Sequence, residues 1–130
     1  LIVVDASALI EVLLGTSAAS RIADRMFAEG ETLHAPDLLD VEVAQVLRRY
    51  ALAGILGAER GAEAVEDLAD FPIARYPHRP FLSRIWELRH HVTAYDAAYL
   101  ALAEALDVPL LTRDAKFAAA AAHQARIELM

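Results

Sequence analysis

Cysteine is missing from all 130 residues. Its absence excludes disulfides and thiolate metal sites, and fits a reducing, cytoplasmic compartment. Lysine is nearly missing too: Lys116 is the only one. The 12 basic residues are outnumbered by 19 acidic ones, giving a formal net charge of -7. That sign excludes a clamp holding nucleic acid by bulk positive charge. It leaves room for an enzyme that gathers carboxylates in one pocket and neutralises them with cations. No apolar run approaches the roughly 18 residues of a membrane span, so no membrane partner is expected. Five histidines are present, yet no pair has zinc-ligand spacing; His90 and His91 are adjacent and diverge on a helix.

What is abundant is apolar, 57% of residues, much of it alanine. The length suits a single domain, residues 1–130, with a real core. Strand-like and helix-like stretches alternate along it. Leu1 to Val4 reads as a buried strand, and a helix should run from Ala6 to Leu14, stopped by Gly15. A second helix from Ser17 or Ser20 to Glu29 leads to a short strand, Thr32 to Ala35. Asp37 is placed to cap a long helix, Leu38 to Ala53, stopped by Gly54. Another helix spans Ala58 to Asp70, and Ile73 to Tyr76 is a strand. Pro80 suits the start of a helix reaching His91. Thr93 caps the next helix, ending near Leu106. Pro109 to Thr112 is a strand, an alanine-rich helix follows, and Arg126 to Leu129 is the last strand. This alternation predicts an α/β fold in three layers, a mainly parallel central sheet with helices on both faces. In such sheets sites form beyond the carboxyl ends of the strands.

Asp5 and Asp114 stand just past the end of a predicted strand, and with Glu42 and Asp96 they make four carboxylates at strand ends or helix starts. Asp5 directly follows the first strand; helix capping and chemistry explain it equally well. Glu42 lies beside the apolar stripe of Leu39, Val43, Val46, Leu47 and Tyr50, and a carboxylate bordering a core needs an arginine, a proton or a metal. Asp40 and Arg48 read as ordinary surface charges. Asp96 completes a capping box with Thr93, its carboxylate reaching back to the Thr93 N–H; the rest of that helix is almost wholly apolar, placing Asp96 at the mouth of the core. Asp114 reads as a turn residue, but Thr112, two residues earlier, points the same way in an extended segment. Held close, four carboxylates repel, and a hard cation such as Mg²⁺ or Mn²⁺ relieves that repulsion.

The stretches VVDASALIEVLL, APDLLDVEVAQVLRR and TAYDAAYLALAEALDVPLLTRD, in this order and spacing, closely resemble the PIN-domain nucleases, and within them the VapC-type toxins of toxin–antitoxin pairs. The likeness covers essentially the whole chain. It implies a metal-dependent ribonuclease with acidic residues at Asp5, Glu42, Asp96 and Asp114, the metal ligands being Asp5, Asp96 and Asp114. Ser7 and Thr112 match accessory hydroxyls. It further implies an RNA substrate, a homodimer and a small inhibitory antitoxin. A non-catalytic RNA- or protein-binding module of the same fold is the alternative, separable by its indifference to EDTA. With the global charge unfavourable, RNA contacts are expected from Arg84, Arg89, Arg113 and Lys116, with Arg48 and Arg49 weaker candidates. The apolar surplus suggests a dimer face on the helices carrying Ile10, Val12, Leu13 and Leu14, or around Leu52, Ile55 and Leu56.

Overall fold

A computed structural model describes residues 1–130. Five strands form one sheet: β1 (Ile2–Val4), β2 (Leu33–Pro36), β3 (Ile73–Tyr76), β4 (Leu110–Thr112) and β5 (Ile127–Leu129). Their order is β3-β2-β1-β4-β5, and every pairing is parallel. Seven α-helices connect them: α1 (Ala6–Leu14), α2 (Ala19–Met26), α3 (Leu38–Leu52), α4 (Ala58–Asp70), α5 (Leu82–Glu87), α6 (Ala94–Leu106) and α7 (Ala115–Ala119). A parallel strand pair needs a helical crossover, and right-handed crossovers put α1 to α4 on one face and α5 to α7 on the other. Packing agrees. Helices α1 to α4 touch one another, α5 packs on α6, and Tyr99 of α6 meets Phe117 of α7 edge-on at 6.4 Å. The α/β three-layer architecture expected from the sequence is the one observed.

Both faces of the central strands are covered, which is why β1 and β4 are continuous apolar runs rather than alternating ones. Ile2, Val3, Val4, Leu110 and Leu111 are fully buried. Around them Leu9, Ile22, Met26, Leu39, Leu100 and Leu102 complete a single core. The chain steps from β1 outward to β2 and β3, then crosses back over β1 to β4. The order therefore reverses between β1 and β4, and in parallel sheets the carboxyl ends of the strands at such a reversal are where sites form.

Several local expectations change. Asp37 has helical angles (φ -52°, ψ -29°) and makes no side-chain cap. The helix expected from Pro80 to His91 is a 3₁₀ turn, Arg79–Phe81, followed by the six-residue α5. The chain turns because Leu88 sinks fully into the core, its carbonyl accepting the amides of His91 and Val92. Asp40 is more than a surface charge: Arg75 of β3 grips both its oxygens at 2.8 and 3.0 Å. Ile10 and Leu13 are buried in the core and leave the dimer-face candidates, whereas Leu52 and Ile55 are more than 70% exposed. No single helix is long and apolar enough to cross a membrane.

Candidate active site

The site is built from the first residues past two adjacent strands. Asp5 follows β1 and accepts the Ala8 amide at 3.1 Å, so it does cap α1. Yet capping needs only one acceptor, and Asp5 has three donors. The Ser7 hydroxyl donates to Oδ1 at 2.7 Å and the Thr112 hydroxyl to Oδ2 at 2.6 Å. Burial raises the Asp5 carboxyl above its ordinary value; these hydrogen bonds oppose the rise, and the charge of Asp114 adds to it. The hydroxyls are held in turn. Ser7 Oγ accepts the Arg113 amide at 2.9 Å, and Thr112 Oγ1 accepts the Asp114 amide at 2.9 Å. This web joins the end of β1 to the end of β4, and it explains a fully buried threonine hydroxyl.

Asp114 caps α7 through the Lys116 amide at 3.0 Å. Asp96, buried in the first turn of α6, departs from the expected capping box. Thr93 Oγ1 accepts the Asp96 amide at 3.2 Å, but the Asp96 carboxylate turns toward Lys116. The Lys116 ammonium lies 3.2 Å from Asp96 Oδ2 and 3.1 Å from Asp114 Oδ2. Burial alone would lower the Lys116 pKa; the two carboxylates outweigh it and the net shift is upward.

Glu42 arrives from the opposite layer. The Tyr99 hydroxyl donates to Glu42 Oε1 at 2.6 Å, tying α3 to α6. Tyr99 is fully buried, and its phenol is held protonated first by burial, then by the bond to Glu42 and by the charges of Glu42, Asp5 and Asp96. One phenol thus senses three of the four acids. Tyr99 escaped the sequence reading, which took α6 as apolar; the signal was a hydroxyl three residues after Asp96, hence on the same helix face. The four sequence-selected acids, with Ser7 and Thr112, therefore stand at one end of the sheet.

The expected cationic residues do not all gather there. An open cleft of about 690 Å³ beside the acids is lined in part by Arg89, His90, His91, Thr93, Asp96 and Lys116. Arg89 also stacks over Trp86 at 4.7 Å. Arg113 points to Glu11 at 3.8 Å. Arg84 is engaged elsewhere: it binds Glu104 at 2.8 and 2.9 Å, fixing α5 to α6, and does not line the cleft. Arg48 is exposed, and Arg49 borders a separate groove with Glu42 and Tyr95.

The donor set is all oxygen, as hard cations require. A positive charge already bridges Asp96 and Asp114, so these residues fit a cation. No three acidic or imidazole side chains close on one point as a ready-made cage; the space between two of the acids is taken by Lys116.

Residues 2–123 match the PIN domain family model, and the chain belongs to that family. Within it the relatives are VapC proteins. Ribonuclease VapC12 of Mycobacterium tuberculosis is 41% identical over 130 residues, covering 100% of this chain and 99% of that protein. Two solved structures share the fold. The M. tuberculosis VapC20 toxin, described as cleaving the sarcin-ricin loop, has a TM-score of 0.68 at 16% identity, covering 92% of this chain and 94% of its own. A toxin–antitoxin complex from Klebsiella pneumoniae has a TM-score of 0.63 at 19% identity, covering 89% and 88%.

Proposed function

We propose that this protein is a divalent-metal-dependent endoribonuclease, hydrolysing RNA phosphodiester bonds as the toxin of a toxin–antitoxin pair. The observation that carries this reading is the placing of Asp5 and Asp114 past the ends of adjacent strands, with Lys116 bridging Asp114 to Asp96 at the edge of an open cleft and Tyr99 tying in Glu42 from the other layer. The ribonuclease name of the 41%-identical relative supports the reaction type.

In this reading Asp5, Asp96 and Asp114 would hold Mg²⁺ or Mn²⁺, with Glu42 as a further ligand through water or a base. A bound cation would supply Lewis acidity to a water and to the phosphate oxygens. The protein's own groups set the geometry. Ser7 and Thr112 fix the rotamer of Asp5. Tyr99 fixes Glu42 and leaves its second oxygen to take a proton. Arg89, His90 and His91 supply the cleft with donors for phosphates, which an acidic protein must concentrate locally. RNA cleavage is expected to stop in EDTA and to return with Mg²⁺ or Mn²⁺. Undiminished cleavage in EDTA would exclude this mechanism. RNA retained without cleavage in either condition would mean a non-catalytic binding module.

The same acids suit an inhibitory arginine from an antitoxin, because a guanidinium pairs with two carboxylate oxygens at once. Lys116 between Asp96 and Asp114 supports such a contact. A homodimer would cover the exposed Leu52 and Ile55, which continue into a groove lined by Leu14, Tyr50 and Leu56. Light scattering at micromolar concentration should then give about twice the 14.2 kDa chain mass. A monomeric mass would count against this face as a dimer contact.

A further inference from the structure

We propose that Lys116 is a built-in counter-ion of the acid cluster: its ammonium holds Asp96 and Asp114 together in the metal-free protein and is displaced when a divalent cation enters. This rests on the metal-dependent reading above, and the experiment below separates the two.

The geometry is specific. Asp96 lies on α6 and Asp114 at the start of α7, and one ammonium reaches both, at 3.2 and 3.1 Å. Asp96 is buried, so its charge needs a partner. Its amide is satisfied by Thr93, and no arginine reaches its carboxylate; Lys116 supplies the charge. The lysine is tethered for the task. Its own amide is donated to Asp114 Oδ1, so the backbone and the ammonium of one residue grip both oxygens of one carboxylate. Yet the side chain is about half exposed, 55%, so the ammonium can leave for water. Its ammonium lies 5.7 Å from the centroid of the Phe117 ring, and the same residue lines the cleft beside Arg89, His90 and His91. A flexible, strongly hydrated point charge exchanges more easily than a forked guanidinium would. Released from the acids, Lys116 moves from neutralising carboxylates to facing a phosphate in the cleft.

Lys116 is the only lysine, so it can be followed as a single site. The first measurement is the Mn²⁺ affinity of the RNA-free protein by calorimetry, for the wild type and Lys116→Gln. Removing the competing ammonium should tighten Mn²⁺ binding about five-fold, the scale of one partly exposed ion pair. Arg113→Gln removes a neighbouring charge that faces Glu11 instead, and should change Mn²⁺ affinity far less. The second measurement is the acylation rate of Lys116 by an amine-reactive ester, read by mass spectrometry. Mg²⁺ should accelerate it by releasing the side chain from its carboxylate partners, so that the amine, its proton passed to water, reaches the ester and displaces the leaving group. Equal or weaker Mn²⁺ binding by Lys116→Gln, an equal effect from Arg113→Gln, or acylation unmoved by Mg²⁺ would each overturn the counter-ion role while leaving the metal site standing. Failure of Mn²⁺ to bind either protein would overturn the metal-dependent reading and the counter-ion role with it.

Discussion

Asp96→Asn is expected to lower Mg²⁺- or Mn²⁺-dependent RNA cleavage at least about 100-fold, with the fold retained. A Lewis-acid contribution of several kcal/mol is carried by the charge of the ligands, and each 1.4 kcal/mol lost is about tenfold in rate. The amide analogue keeps the size of the side chain but offers one neutral oxygen. Its effect on stability should be small, because the start of α6 is secured by Thr93 accepting the residue 96 amide, which the substitution does not touch. What is lost is the Lys116 contact, to a half-exposed partner, worth at most about 1 kcal/mol. Two measurements on one variant decide the matter: melting temperature and single-turnover cleavage. A melting temperature lowered by several degrees with cleavage kept would give the Asp96 carboxylate a structural role and none in the chemistry. Cleavage lost with melting unchanged assigns it to the chemistry.

The capping question shows why some of this molecule was legible in its sequence and some was not. Helix ends that rest on backbone conformation alone were readable. Gly15 and Gly54 stand at φ of 64° and 74°, where a glycine is favoured, and they mark where α1 and α3 stop. Buried strands of the β1 kind were readable from unbroken apolar runs. What depends on tertiary partners was not. The length of α5 is decided by Leu88 dropping into the core, and Asp37 is denied its cap by the helical start of its own turn. The acids could be found from local pattern: Asp5, Asp96 and Asp114 sit at a strand end or helix start, and Glu42 borders the apolar stripe of α3. Their connections could not. Ser7 and Thr112 converge on one carboxylate from opposite ends of the chain, Tyr99 reaches Glu42 across the layers, and Lys116 closes on acids rather than on solvent. Arg84 stands outside the cleft for the same reason: Glu104 is 20 residues away in the chain, yet it takes two of the three nitrogens of the guanidinium.

Asp5→Asn should abolish cleavage to a similar degree, yet make the metal-free protein more stable at neutral pH. The hydrogen-bond web accommodates the amide. Its oxygen still accepts from the Ala8 amide and the Ser7 hydroxyl, and its NH₂ can donate to Thr112 Oγ1 once that hydroxyl turns its proton toward Ser7, 3.2 Å away. The stability difference follows from the direction of the pKa shift. Burial raises the folded-state carboxyl of Asp5 above its ordinary value of 3.8. The native state therefore binds a proton more tightly than the unfolded chain does. Below about pH 4 both states are protonated, and the acid behaves as the neutral amide does. As pH climbs through the raised native value, the wild type must bury a charge beside Asp114 and gives up that contribution. The asparagine variant carries no such charge. In EDTA the two melting curves should nearly coincide near pH 4 and separate as pH rises, the variant melting higher at pH 7.5. Mn²⁺ should reverse the order at pH 7.5, since a ligand bound only by the native wild type stabilises it by mass action. A variant that melts below the wild type in EDTA at pH 7.5 would mean that the fold needs this carboxylate's charge as a cap, and the acid cluster would lose its central member.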